Sequence, residues 1–293
     1  MILLKTGGVK VLSLVSCKSP LRFPGSKSKV LKKLDLYLSI PHKEYREPFF
    51  GGGSIFFGKR LAEYNWVNDK DPYIYDFFIT VRDNPIELCI LIQQYGKPTI
   101  ERWHQYRNEP MPDDRLERAY RFLFFNRTNY SGIFHSNPIG GLNQESQWKI
   151  DCRWNEKLIC KRIIECSSKL QEVNITCFDF EEVISKPGEN VLLMIDPPYY
   201  KNGSKLYPLS LDHNDHVRLS KLLKSTNHKF ILTIDDCEEI REIYNDSGFY
   251  FYNTTWKYTI NSRKQNNNGK ELFISNFKVG NTNVYKDYLI LDK

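Results

Sequence analysis

The stretch VLLMIDPPYYKNG, from Val191 to Gly203, decides how this chain is read. Val191 to Ile195 form a short, continuous apolar run, as expected of a strand covered on both faces of a sheet. Pro197 and Pro198 carry no backbone N–H, so strand pairing stops there. Asp196 and the aromatic-flanked turn after it therefore stand at the C-terminal end of a buried strand, where open α/β sheets hold their ligands. Taken alone, these residues fit an ordinary strand end with a proline-stopped loop equally well.

Working outward, YREPFFGGGSIFF runs from strand through a glycine turn to a helix read over IFFGKRLAEY, and NWVNDKDP is a short strand closing on Asn68, Asp69 and Asp71. NITCFDF, HKFILTIDD, FYFYNTTWKYTI and KELFISNF have the β-branched and aromatic enrichment of strands. NDHVRLSKLLKST and EEIREIYNDSG read as helices, and the polar NSRKQNNNG between the last two strands reads as a long hairpin tip. Alternating strands and helices predict an α/β fold with a mostly parallel sheet and right-handed crossovers. Between about Pro85 and Arg162 the rhythm changes. IELCILIQQYG, TIERWHQYRN and RLERAYRFLFF are amphipathic helical patterns with no strand between them, followed by the Gly/Asn/Ser-rich NRTNYSGIFHSNPIGGLNQESQWK. The expected division is an extension over 1–18, a sheet domain over 19–84 and 163–293, and an inserted, mainly helical domain over 85–162.

The 293 residues suffice for one large domain or two modest ones. A formal charge of +7 permits a polyanion partner without requiring one. Seven cysteines without any C-x-x-C pair exclude a zinc ribbon or a thioredoxin-like motif and point to free thiols in a reducing cytoplasm. His213 and His216 have no further Cys or His nearby, so no metal site is expected. The opening MILLKTGGVKVLSLVSC resembles a lipoprotein leader, but its apolar run is short and interrupted, and no segment approaches the ~20 apolar residues of a membrane span. No membrane association is expected.

Two further stretches carry chemistry. In Phe50-Gly51-Gly52-Gly53-Ser54, glycines after a strand and before a helix let the backbone turn tightly and approach a ligand, although the spacing is not the dinucleotide fingerprint. Asp69, at the end of the next strand, is placed to accept both hydroxyls of a ribose. The pair suggests a nucleoside-type cofactor over the sheet edge. In PLRFPGSKSK, a turn at Pro24-Gly25 with Lys27 beyond can present a cation and amides to a carboxylate; it reads as well as a plain turn into the helix KVLKKLDLYL.

LRFPGSK, EPFFGGGSIFF, VNDKD, NRTNYSGI…PIGG, CRWN, CFDF, MIDPPYY, LDHNDHVRLSKLL and KELFISNF occur in that order from about Ser19 to Phe277. Through them the chain resembles the Dam-like class of DNA adenine-N6 methyltransferases, which use S-adenosylmethionine. The resemblance implies a Rossmann-like methyltransferase sheet with an inserted target-recognition domain, here residues 85–162. It implies a catalytic Asp196-Pro197-Pro198-Tyr199 turn acting on an adenine flipped out of the duplex. Asp196 and the Pro197 carbonyl would accept the N–H bonds of the amine, and Tyr199 would stack on the base, an effect worth about 1–3 kcal/mol. The absence of any Pro-Cys pair argues against the class that attacks cytosine covalently.

By the same resemblance the cofactor shell is Phe23, Pro24, Gly25 and Lys27, then Phe50, Gly51 and Gly53, with Asp69 on the ribose and Asp179 and Phe180 on the adenine of the cofactor. Asp179 and Phe180 also read as a helix N-cap and a core aromatic. Arg22, Asn126, Arg127 and Tyr130 match positions the class uses near DNA. An arginine there can read a guanine edge, hold phosphate, or tie down its own loop. Lys201, Lys205 and Lys264 are candidates for phosphate contacts. The expected partner is double-stranded DNA with a short adenine-bearing site, bound by a monomer or weak dimer without a metal. Methylation of RNA or another planar amine, and nucleic-acid binding without catalysis, stand beside this reading. The loop after Asn126 departs from the Dam pattern, so GATC is not implied as the site.

Overall fold

In the computed structural model the described residues are 16–23, 27, 31–201, 203, 209–257 and 268–278. Pro24, Gly25, Lys205 and Lys264 lie outside them, as does most of the NSRKQNNNG tip. Among these residues seven strands form one sheet: β1 Glu44–Glu47, β2 Tyr64–Asn68, β3 Asn174–Thr176, β4 Val191–Ile195, β5 Lys229–Asp235, β6 Tyr250–Lys257 and β7 Asn268–Ser275. Their order is β3-β2-β1-β4-β5-β7-β6. β1 to β5 pair in parallel, while β7 lies antiparallel between β5 and β6. The chain runs outward from β1 to β3 and then returns to β4 on the other side of β1. That reversal opens a crevice beyond the carboxyl ends of β1 and β4.

β4 shows why the apolar run is continuous. Its alternate residues serve two cores: Leu192 and Met194 join a cluster with Tyr37, Phe56 and Phe77, while Leu193 and Ile195 join one with Leu219, Leu223 and Ile240. All five residues of β4 are buried. Helices α1 Leu31–Leu38, α2 Ser54–Gly58, α3 Pro72–Asp83, α4 Pro85–Tyr95, α5 Ile100–Asn108, α6 Arg115–Thr128, α7 Glu156–Leu170, α8 Phe180–Ser185, α9 His213–Ser225 and α10 Glu238–Ile243, with a short 3-10 turn at Tyr130–Gly132, complete the described elements. Their starts follow local chemistry. Asp71 caps α3 with Pro72 in its first turn, Asp114 caps α6, and capping boxes open α8 (Asp179 with Glu182) and α9 (Asp212 with Asp215).

One feature differs from expectation. The helix read over IFFGKRLAEY ends at Gly58, and Lys59 turns extended and lays its ammonium 3.9 Å from the Tyr45 ring centroid. Leu31 packs so closely on Gly58 that a Cβ there would run into it. The helical stretch after Pro85 shares one apolar cluster with a face of the sheet, reaching from Leu192 and Met194 through Phe77 to Phe122, Trp103 and Tyr120. α3 packs on α6 and α7, and α7 runs through Arg162.

Candidate active site

The cleft at the switch point is lined by the turn after β1, the ends of β2 and β4, the start of α9, and Asn126 with Gly132 to Phe134. At its centre stands Lys27, buried to 1% exposure. Its Nζ donates to Asp196 Oδ1 at 2.6 Å and to the Tyr199 hydroxyl at 2.9 Å, and lies 3.2 Å from Glu271 Oε1. Tyr199 in turn donates its hydroxyl to Glu271 Oε1. Thr233 on β5 donates to Asp196 Oδ1 at 2.7 Å. Asp196 Oδ2 accepts no hydrogen bond from a described residue, and Asp196 lines the cleft, so that oxygen remains available as an acceptor. The turn is pinned from behind by Asp235, whose two carboxylate oxygens accept the N–H groups of Tyr200 and Lys201 at 2.9 and 3.0 Å.

Beneath this centre Glu47, at the end of β1, accepts the Tyr45 hydroxyl at 2.8 Å. Burial, with the nearby Asp196 charge adding, pushes the Glu47 carboxyl up to about 8, so it is largely neutral near pH 7.

Phe23 lies over the glycine turn. A Cβ on Gly51 or Gly52 would come within 2.8 Å of the Phe23 side chain, which is the packing reason for glycine at both. Gly53 has φ of 67° and is closed in by Phe50 and Phe57, so it shapes the turn and does not line the cleft. Asp69 Oδ2 accepts the Gly51 N–H at 2.7 Å and Oδ1 accepts that of Asp71 at 2.9 Å. Burial outweighs these bonds and raises the Asp69 carboxyl to about 7.

Among the described members of the expected cofactor shell, Phe23, Lys27, Phe50, Gly51, Asp69 and Phe180 line the cleft. Asp179 does not, although its partners Lys70 and Arg218 do. Burial alone would raise the Asp179 carboxyl, but hydrogen bonds from Arg218, Lys70 and the Glu181 amide hold it well below the usual carboxylate range.

The residues expected near DNA separate into two kinds. Asn126 lines the cleft but is buried, with its side chain spent on backbone. Its Oδ1 accepts the Arg22 N–H at 2.8 Å, and its Nδ2 donates to the carbonyls of Arg22 at 2.6 Å and Gly132 at 3.3 Å. Arg127 is also buried, and desolvation together with Arg162, Arg22 and Arg153 lowers its guanidinium to about 10. Tyr130 is 49% exposed on a tight turn just after α6, and Arg22 is half-buried. Lys201 pairs with Glu239 at 3.6 Å. Replacing Asn126 by alanine is expected to leave three backbone groups unpaired and to cost about 1–3 kcal/mol, read as a lower midpoint in urea; an unchanged midpoint would show that the clamp carries no stability.

Thr233, Asp235, Glu271 and Arg218 were not among the residues the sequence singled out. Glu271 carried one weak signal, a carboxylate directly before the apolar run Leu272–Ile274. Among the described residues no group of three or more His, Cys, Asp or Glu could hold a metal, and no helix is long and apolar enough to cross a membrane.

The model of the D12 class N6 adenine-specific DNA methyltransferase family matches residues 23–260. The chain is 22% identical over 276 residues to the Type II methyltransferase M1.LlaDCHI of Lactococcus lactis subsp. cremoris, covering 87% of this chain and 94% of that protein. It is 28% identical over 244 residues to the DNA N-6-adenine-methyltransferase of Escherichia phage P1, covering 79% of this chain but only 32% of that protein. To the Type II methyltransferase M.CviBI of Paramecium bursaria Chlorella virus NC1A it is 23% identical over 268 residues, covering 89% of this chain and 100% of that protein. With its Asp-Pro-Pro-Tyr turn set at the switch point of the sheet and a family match over most of its length, the chain belongs to the D12 class N6 adenine-specific DNA methyltransferases.

Proposed function

We propose that this chain methylates the N6 amine of an adenine flipped out of duplex DNA at a short site, with S-adenosylmethionine as donor. The observation that carries the reading is Asp196, fixed through one oxygen by Lys27 and Thr233 while the other remains available as an acceptor. When bound, S-adenosylmethionine supplies an electrophilic methyl group. The donor set fits such a group: Asp69 is an acceptor for ribose hydroxyls, and the Gly51–Gly52 turn admits close backbone approach. Phe23 and Phe180 add apolar surface to the same cleft.

The chain's own residues do the rest by positioning. An exocyclic adenine amine is a poor nucleophile because its lone pair is delocalised into the ring. Asp196 Oδ2 and the Pro197 carbonyl accept its two N–H bonds and turn the lone pair out of the ring plane. Orientation of this kind is worth up to ~7–11 kcal/mol in well-aligned systems. The hydroxyl of Tyr199 is tethered by Lys27 and Glu271, so its ring is held ready to stack on the flipped base. We assign residues 85–162 to target recognition, with Tyr130 and Arg22 toward the duplex and Asn126 and Arg127 behind them as supports.

Expression in a bacterial host lacking adenine methylation, followed by sequencing for modified adenine, tests this directly. N6-methyladenine within one short motif is the expected result, and unmodified DNA overturns the reading.

The Asp69 carboxyl makes a separate test. With a value raised to about 7 it is mostly protonated at pH 6 and ionised at pH 8. Ribose hydroxyls are bound by the ionised form, so cofactor affinity is expected to rise through pH 7 and level off above it, with proton release on binding. Calorimetry with S-adenosylhomocysteine at both pH values reads this, and Asp69→Asn is expected to flatten the profile and lower affinity about tenfold. A wild-type profile that is already flat removes Asp69 from the ribose.

A further inference from the structure

We infer that Arg218 is a positioning residue for recognition of the cofactor's adenine, and that Lys70 covers the acceptor which the adenine amine takes over. The inference rests on the reading of Asp179 and Phe180 as the adenine subsite. In this structure the Asp179 carboxylate is saturated. Its Oδ1 accepts the Glu181 N–H at 3.1 Å and an Arg218 guanidinium N–H at 2.7 Å. Its Oδ2 accepts from Lys70 Nζ at 2.9 Å and from the second arm of Arg218 at 3.2 Å. A carboxylate offers about four lone-pair sites, so a further donor enters only when one of these leaves.

The four donors are not equally held. The Glu181 amide belongs to the first turn of α8 and has no freedom to withdraw. Arg218 is fixed several times over. Beyond the bidentate pair, it donates to Glu181 Oε2 and to Asp215 Oδ1, each at 3.0 Å, and its guanidinium lies 4.2 Å from the Phe180 ring centroid. Among the described residues the Lys70 side chain is bonded to Asp179 alone, and it is 63% exposed, at the end of a flexible stem. An ammonium so exposed gains little from one ion pair.

Lys70 and Arg218 line the cleft, and Asp179 stands behind them. An adenine amine approaching from the cleft therefore meets Lys70 first and replaces it at Oδ2. Arg218 stays, and its rigid fork aims the carboxylate while its face packs on Phe180. Arg218 thus joins α9, which forms one wall of the cleft, to α8, which caps on the acceptor. That join is what lets the subsite distinguish an amine donor at position 6 of the purine from a keto acceptor.

The test compares S-adenosylhomocysteine with its inosine counterpart, in which the 6-amino group is a keto oxygen, by calorimetry on the full chain. The wild type is expected to prefer the amino form. Arg218→Gln is expected to weaken the amino form about tenfold, the scale of one charge-assisted hydrogen bond, and to lose most of the preference. Arg218→Lys, which keeps the stem and charge but not the fork, is expected to restore folding stability without restoring the preference. Lys70→Ala is expected to tighten the amino form a few-fold by removing its competitor. A wild-type preference that survives in both Arg218 variants, or weaker binding in Lys70→Ala, overturns the inference alone. A wild type that binds both forms equally removes Asp179 as adenine acceptor, and the inference with it.

Discussion

Asp196→Ala is expected to lower the rate of methyl transfer about a thousandfold or more in single-turnover assays with labelled S-adenosylmethionine, the scale seen when one preorganised polar group at a reacting centre is lost. The substitution removes the acceptor that turns the amine and also the anion that Lys27 and Thr233 hold. The fold is expected to survive, because the Lys27 ammonium still has Glu271 Oε1 at 3.2 Å and the Tyr199 hydroxyl at 2.9 Å. Asp196→Asn keeps the shape and one acceptor but loses the ion pair, and an intermediate rate is expected. Turnover of the alanine variant within a few-fold of wild type would remove Asp196 from the chemistry.

Lys27→Met is expected to be the most damaging single change to stability at the site. Lys27 is 1% exposed and lies between two carboxylates, Asp196 and Glu271, whose side chains are 20% and 0% exposed. Removing the shared cation leaves those charges uncompensated, and breaking a buried pair in this way costs about 3–5 kcal/mol. For a chain of this size that corresponds to a fall in melting temperature on the order of 10 °C. The double variant Lys27→Met/Glu271→Gln is expected to recover about half of the loss, because one orphaned charge goes with the second substitution. Methyl transfer is expected to stay low in both. A single variant melting within two degrees of wild type, roughly 1 kcal/mol, would show that the triad contributes little to stability.

Much of this site was legible in the residues because its parts are local. The VLLMI run could be read as a strand covered on both faces, and both apolar clusters do receive alternate residues from it. Asp196 follows that strand directly, so its place at the ligand edge needed no long-range information. The glycine turn and Asp69 were found in the same way, each at the end of its own strand. The helical pattern of IFFGKRLAEY runs past the true end of the helix at Gly58, because Lys59 takes an extended conformation that the pattern does not record.

Other parts depend on contacts between residues far apart in the chain. Polar residues of one type serve opposite purposes, and only packing separates them. Asn126 has the composition of a loop contact for DNA, yet it clamps the backbone of Arg22 from within the core. Asp179 is the N-cap of α8, as one reading of it has it, and its carboxylate is also covered by two cations from other elements, which no local pattern records.

By itself the order of residues determined the strand ends, the carboxylate at the edge and the run of helices after Pro85, since hydrophobic period, proline and glycine act over a few residues. The tertiary structure alone decided which charges meet. β7 lies antiparallel between β5 and β6, so Glu271 near its start stands level with Asp235 at the end of β5, on the edge where Lys27 and Asp196 converge. The hairpin reading makes β7 antiparallel to β6, but its place beside β5 is set by pairing across many residues, which no local pattern in KELFISNF records.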